Sequence, residues 1–243
     1  MAKKFRVIVA DPPWAFGDKL KMSDVARGAE ANYSTMSIKD IKDLPMQKFA
    51  HSDGAILALW VPSSLLQEGL DTMKAWGFAH KQTYIWVKIK KHPLKDITKT
   101  FFDFWRKGQK KIGEIGEKGF KEYVRTSIEM INIIDPQKGK NFVQEMLAFG
   151  MGRLFRQTHE ICLIGTSNNK IYKELKNKSQ RSVCFAENLK HSAKPENLQD
   201  SLDIMFPTGN RLELFARRHR KNWVCLGNEI CNGEDIRDSL SKL

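Results

Sequence analysis

The chain has little of several things that usually announce a function. Its 243 residues include four cysteines, Cys162, Cys184, Cys225 and Cys231, with no CxxC spacing among them. That excludes the common zinc frameworks. Because three of the four lie in apolar runs, they read as reduced core thiols rather than disulfides. No apolar stretch approaches the roughly 18 residues of a membrane helix. No secretory leader is recognisable either, so the expectation is a soluble cytoplasmic protein with no membrane partner. His159-Glu160 invites a zinc reading, but HExxH requires a second histidine where Leu163 stands. No metal is expected. A GxGxxG loop is missing, and so is any internal repeat.

What the chain does have is positive charge. Lys and Arg outnumber Asp and Glu by 41 to 28, a net charge of +13, which favours a polyanionic partner. The length suits one large domain, or one domain with an insertion, and is enough for a substantial core. Seven strand-like runs alternate with helical segments: 5–10, 55–61, 83–88, 160–166, 182–186, 211–216 and 223–226. That is the pattern of an α/β sheet. Ser37-Ile38-Lys39-Asp40 resembles a capping box. Ser63 or Ser64 can cap a helix with Leu66, Leu70 and Met73 on one face and Gly77 after it. Pro195 suits the first turn of a helix carrying Leu198, Leu202 and Met205.

One stretch breaks the alternation. Residues 88–156 hold sixteen Lys/Arg against eight Asp/Glu, about +8 of the net charge. They show helical periodicity, with Phe120, Val124, Ile128 and Ile131 on one face. The expectation is a sheet domain over 1–89 and 145–243, interrupted by a basic helical insertion over 90–144. A solvated helical hairpin and an arm that grips phosphates are both open for Lys107, Lys110 and Lys111. Phe101, Phe102, Phe104 and Trp105 read better as that segment's core than as base-stacking groups.

The most informative residues are Asp11-Pro12-Pro13-Trp14, just past the apolar run 5–10. Open α/β sheets bind ligands past the carboxyl ends of their strands. The chemistry such a cluster suits is methylation of an exocyclic amine on a base. That nitrogen's lone pair is delocalised into the ring. The Asp11 carboxylate and the Pro12 carbonyl can each accept one of its N–H bonds, favouring a tetrahedral nitrogen with its lone pair free. Both prolines lack an N–H and have a fixed φ, which holds the carbonyl rigidly. Trp14 offers a flat face for a base.

Further motifs come late in the chain. Lys194 precedes a helix start and can bind a carboxylate. Glu213 ends a strand where it could hold two ribose hydroxyls. Taken together, Asp-Pro-Pro-Trp (11–14), Tyr33-Ser34-Thr35-Met36, Leu44-Pro45, Leu59-Trp60-Val61, Trp86-Val87-Lys88, 156–165, the His-Ser-x-Lys-Pro run at 191–195, Glu-Leu-Phe-x-Arg (213–217) and Gly-Asn-Glu (227–229) resemble the mRNA adenosine N6-methyltransferase (MT-A-seventy) family. That family includes bacterial and phage DNA-modifying members.

The resemblance implies a Rossmann-like, permuted methyltransferase sheet, catalytic half first, with S-adenosylmethionine as methyl donor. By carry-over, Asp11, Pro12, Pro13 and Trp14 form the catalytic motif that holds the target adenine, and Tyr33 lines the base pocket. Lys194 binds the methionine carboxylate, and Asp11 also touches the methionine amino group. Glu213 and Arg217 serve the ribose region, and His219, Asn228 and Glu229 the rest of the cofactor. Lys88, with Lys107, Lys110 and Lys111, is expected to contact the nucleic acid, a reading from the basic charge of 88–156 and not from the resemblance. Eukaryotic members carry an upstream adenine-contacting segment that this chain starts too late to have, and a shorter loop where 90–148 stands here.

The leading expectation is therefore a DNA adenine N6-methyltransferase acting on a flipped-out base in a bacterial or phage-infected cell. The same chemistry on RNA is the alternative. A catalytically inactive nucleic-acid-binding subunit is the third, though such paralogues lose the Asp or Trp of the motif. Cytosine-N4 enzymes usually carry Ser in place of the leading Asp. Homodimerisation stays open.

Overall fold

The computed structural model describes residues 3–15, 35–91, 116, 118–119, 121–122, 142–148, 150, 152, 154–187, 193–230 and 233–243. The chain divides into two compact units. The first comprises Met1–Trp86, Glu160–Cys184 and Ala193–Leu243, the second Val87–His159 and Phe185–Ser192.

Seven strands form one sheet: β1 (Val7–Ala10), β2 (Ile56–Val61), β3 (Ala79–Ile89), β4 (His159–Thr166), β5 (Val183–Glu187), β6 (Arg211–Leu214) and β7 (Val224–Leu226), in the order β5-β3-β4-β2-β1-β6-β7. The described residues include the α-helices α1 (Ile38–Lys42), α2 (Leu66–Ala75), α3 (Phe142–Met146), α4 (Asn197–Met205) and α5 (Ile236–Ser241). None of them is long and apolar enough to cross a membrane. The fold is α/β, as the alternation of runs implied. β1 pairs in parallel with both β2 and β6, and β6 in parallel with β7, whereas β2 and β4 are antiparallel.

Every residue of β1 and β2 is buried. Strands covered on both faces need continuous apolar sequence, and Val-Ile-Val-Ala and Ile-Leu-Ala-Leu-Trp-Val supply it. Around them pack Phe5, Ile41, Met46, Met73, Trp76, Leu212 and Leu240. β1 starts two residues later than the apolar run. At Phe5 the chain pairs instead with Ala50, and Phe5 N–H donates to Phe49 O at 2.8 Å. β6 stops at Leu214, short of Ala216, because Phe215 turns left-handed at φ 59°.

The capping box at Ser37 is present, with Asp40 N–H donating to Ser37 Oγ at 3.0 Å. Two other helix starts differ from the sequence expectation. Ser63–Leu65 forms a 3-10 turn, and α2 follows it with no side-chain cap. Pro195 stands before α4, whose N-cap is Glu196. The face of α2 also differs. Leu70 and Met73 pack on the core as expected, but Leu66 is exposed, and Gly69 and Thr72 are buried instead. Gly69 decides this, since a Cβ there would lie 2.6 and 2.8 Å from the two methyls of Val61 on β2. The helix lies on the sheet closely enough that only hydrogen fits. Cys162 and Cys225 are buried and Cys184 half-buried, none of them in a disulfide.

That close approach gives a stability prediction with a definite sign. Gly69→Ala gains about 1 kcal/mol of helix propensity but overpacks Val61 at a cost of about 1–3 kcal/mol. A valine fixed at χ1 cannot swing either methyl clear. The net effect is destabilising by up to roughly 2 kcal/mol. Urea unfolding of Gly69→Ala in the wild-type and Val61→Ala backgrounds checks it. The substitution turns stabilising once the methyls are gone.

Candidate active site

The parallel strands β2, β1, β6 and β7 share one carboxyl rim. From β1 the chain proceeds to β2 on one side, and from β6 to β7 on the other. The reversal between β1 and β6 is the position where open α/β sheets leave a crevice for a ligand. Asp11 follows β1 there, its N–H directed to Leu214 O at the end of β6 (3.4 Å). β4 runs antiparallel to β2, so its amino end, with Glu160, reaches the same rim.

Three charges meet at that rim. Lys194 Nζ lies 2.9 Å from both carboxylate oxygens of Asp11 and 3.1 Å from Glu160 Oε2. Its side chain keeps 13% of its surface, those of the two acids 26% each. Burial would lower the Lys194 pKa, but the two carboxylates outweigh it and hold the ammonium above its ordinary value. Burial pushes the Asp11 carboxyl up, against the Lys194 charge that holds it down. One cation serves two anions, so the cluster carries a net negative charge. Lys194 Nζ also lies 5.6 Å from the centroid of the Trp60 ring, a cation–π distance. Among the described residues, no group of three or more His, Cys, Asp or Glu is placed to hold a metal ion.

The Asp-Pro-Pro-Trp turn is locked from several sides. Trp14 N–H donates to Pro12 O at 2.9 Å, and Met36 N–H to Pro13 O at 2.8 Å. The Pro12 carbonyl, expected to accept from the target amine, thus already accepts one internal hydrogen bond and has one lone pair left. Trp14 Nε1 donates to Trp60 O at 2.9 Å. With 4% of its surface exposed, the Trp14 ring is packed in the core rather than laid open for a base. Trp60 packs edge-on to Tyr84, its own indole N–H buried without a hydrogen-bond partner.

The remaining expected residues fall into two groups. Glu213 on β6 is half-buried beside Val9 and accepts from Gln199 Nε2 at 3.0 Å; burial raises its pKa, while that bond and the more distant Arg218 and Arg220 oppose the rise. Arg217 and Glu229 form an ion pair at 3.3 Å. Gly227 brings their two segments together, because a Cβ there would lie 2.2 Å from Ala216 O. Asn228 is exposed on the same turn, and His219 is exposed without a hydrogen bond or ion pair among the described residues. Lys88 lies in the second unit, half-buried, its N–H bonded to Thr158 O at 2.8 Å. Tyr33, Lys107, Lys110 and Lys111 lie outside the described residues.

The family model described as MT-A70 matches the chain over residues 5–119 and 93–229. The chain belongs to the MT-A70 family. Its relatives include an N(6)-adenosine-methyltransferase MT-A70-like protein of Arabidopsis thaliana, 24% identical across 97% of this chain and 25% of the relative. The human N(6)-adenosine-methyltransferase catalytic subunit METTL3 is 22% identical across 93% of this chain and 28% of its own length. The type II methyltransferase M.MunI of Mycoplasma sp is 22% identical across 94% of this chain and 78% of its own length. The chain thus spans about a quarter of the MT-A70-like relatives and most of the Mycoplasma enzyme.

Three residues at or beside this candidate site escape sequence reasoning: Glu160, Trp60 and Gln199. The signal for Glu160 is a carboxylate opening an otherwise apolar strand, overshadowed by the incomplete zinc motif beside it. Gln199 lies on the apolar face of a helix whose leucines alone define that face.

The cluster also makes a prediction. In Lys194→Met, two partly buried carboxylates lose the ammonium they share. Their native pKa values then rise above those in the unfolded chain, and the folded state binds protons more readily. Stability lost near pH 8 is therefore partly recovered as the pH falls toward about 5. The expected loss is about 3–5 kcal/mol near pH 8 and less near pH 5. Urea midpoints at the two pH values check this; equal losses would mean that Lys194 does not hold the carboxylates together.

Proposed function

We propose that the chain is an S-adenosylmethionine-dependent adenine N6-methyltransferase that acts on DNA. The observation that carries this reading is the Asp11–Lys194–Glu160 cluster at the carboxyl rim, where the chain leaves the paired strands β1 and β6 toward opposite sides of the sheet. The donor set fits the cofactor. An amino-acid end needs an ammonium and a carboxylate side by side, and Lys194 with Asp11 is such a pair. A ribose needs a carboxylate acceptor, which Glu213 provides at the neighbouring strand end. Arg217, just beyond β6, is assigned to the same ribose region, and His219, Asn228 and Glu229, on the segments beyond β6 and β7, to the rest of the cofactor.

When bound, the cofactor supplies a methyl group on a sulfonium, which is already activated for displacement. The chain's own part is positioning and hydrogen bonding. The Asp11 carboxylate and the free lone pair of Pro12 O accept the two N–H bonds of the target amine. That turns the nitrogen lone pair out of the ring and aims it for an in-line attack. The Trp14–Trp60 hydrogen bond and the Met36–Pro13 hydrogen bond keep the turn from relaxing when the amine arrives. Lys194 opposes the rise that burial gives the Asp11 pKa and so favours the carboxylate, the better acceptor of an N–H. Tyr33 is assigned to the base pocket beside this turn.

DNA is favoured because the type II methyltransferase M.MunI is matched over 78% of its length, whereas the adenosine-methyltransferase relatives are matched over about a quarter of theirs. The net charge of +13 suits either nucleic acid. RNA is the second reading, favoured by the names of the METTL3-like relatives. The basic segment 90–144 is assigned as the nucleic-acid arm, with Lys88, Lys107, Lys110 and Lys111 on phosphates.

Labelled S-adenosylmethionine offered with duplex DNA, single-stranded DNA and RNA, followed by nucleoside analysis, tests the proposal. The expected product is 6-methyldeoxyadenosine from duplex DNA. Label only in 6-methyladenosine from RNA would transfer the assignment to RNA, and no label on any substrate would overturn it. Asp11→Ala should lower kcat by roughly a hundredfold or more, the scale of losing one transition-state hydrogen-bonding group. Activity within a few-fold of wild type would remove Asp11 from the chemistry.

A further inference from the structure

Gln199 is a polar residue in an apolar place. It lies on α4 between Leu198 and Leu202 and keeps 4% of its surface. Its Nε2 donates to Glu213 Oε1 at 3.0 Å, while its own Oε1 is buried with no hydrogen-bond partner. A half-satisfied buried amide is a net cost to folding, and an apolar residue of the same shape would avoid it. Packing alone therefore does not account for a glutamine here. The bond it makes does. The Glu213 carboxylate accepts no other hydrogen bond among the described residues. The neighbouring arginines are committed elsewhere, Arg218 to Glu196 and Arg220 to Glu196, Asp200 and Asp203. They act on Glu213 only as more distant charges, against burial and the like charge of Glu196.

We propose that Gln199 is a positioning residue for the cofactor half of the site, its amide fixing the Glu213 carboxylate so that one oxygen is committed and the other is presented to the vicinal hydroxyls of a nucleoside. The proposal rests on the reading of Glu213 as a ribose ligand. The amide does two things at once. It fixes the rotamer of a side chain that would otherwise rotate freely at a strand end. It also favours the ionised carboxylate, which accepts hydroxyl protons better than the neutral acid does. Gln199 touches no reacting atom, so its effect belongs in cofactor affinity and not in the transfer step.

The test is calorimetric binding of S-adenosylhomocysteine to the full chain and to Gln199→Met, Glu213→Gln and the double variant, across a pH series. Methionine keeps the length and bulk of glutamine without the donor. The expected result is a dissociation constant raised about tenfold in Gln199→Met, with kcat at saturating cofactor within about twofold of wild type. Without the amide, the Glu213 carboxyl protonates more readily, so the fall in affinity on acidification begins at a higher pH than in wild type. The double variant should bind no worse than Glu213→Gln, because Gln199 acts through that carboxylate alone.

Three results would count against it. If Gln199→Met binds like wild type at every pH while Glu213→Gln is weak, the positioning role falls and the ribose reading stands. Additive losses in the double variant would place the action of Gln199 elsewhere. If Glu213→Gln itself binds like wild type, the ribose reading fails and takes this proposal with it.

Discussion

A lysine ammonium shared by two carboxylates ties the first unit together at its carboxyl rim. Lys194 precedes α4, Asp11 follows β1 and Glu160 lies at the start of β4. Three segments from distant parts of the sequence thus converge on one proton-bearing nitrogen. The exposed pairs contribute little by comparison, since solvent screens Lys39–Asp43 and Arg237–Asp235 almost completely. A pair with most of its surface withdrawn from water behaves differently. Removing the ammonium takes from both anions the cation they share, which is why the cluster constrains the fold as well as the site.

The sheet explains how such a cluster comes to lie where a ligand can reach it. Buried apolar strands position the rim, and between β1 and β6 the chain's connections turn to opposite sides, the place where open α/β sheets bind ligands. The backbone marks the same location. Phe215 adopts a left-handed conformation that side chains other than glycine seldom take, and Gly227 admits Ala216 at a distance that no Cβ would permit. Both lie directly after the strands whose ends carry the expected cofactor groups. Local strain and close approach are thus concentrated where the two segments beyond β6 and β7 must run side by side.

Much of this is legible in the sequence, for identifiable reasons. β1 and β2 are fully buried, so their residues are apolar without alternation and stand out as runs. The Ser37 cap is a local pattern, and it forms as its residues imply. Asp11, Lys194 and Glu213 are conspicuous because they are polar groups at element ends against apolar neighbours. Glu160 is not, because its place beside Asp11 depends on β4 running antiparallel to β2, and strand sense is not written in a strand's own residues. The face of α2 is misjudged when Leu66 is counted and Gly69 is not, yet the absence of a side chain determines how the helix packs. Gln199 escapes for a related reason, its partner being fourteen residues away on another element.

The helix α4 carries a consequence of its own. The segment leading into it supplies the countercharge for β1, Gln199 meets β6, and Glu196, Asp200 and Asp203 grip Arg220 ahead of β7. One nine-residue cylinder and its lead-in therefore index three strand ends at once. Because a helix advances about 1.5 Å per residue, a single-residue slip would shift all of these contacts together. The two halves of the rim consequently share one calibration. An insertion or deletion between Lys194 and Gln199 would therefore move one half of the rim against the other.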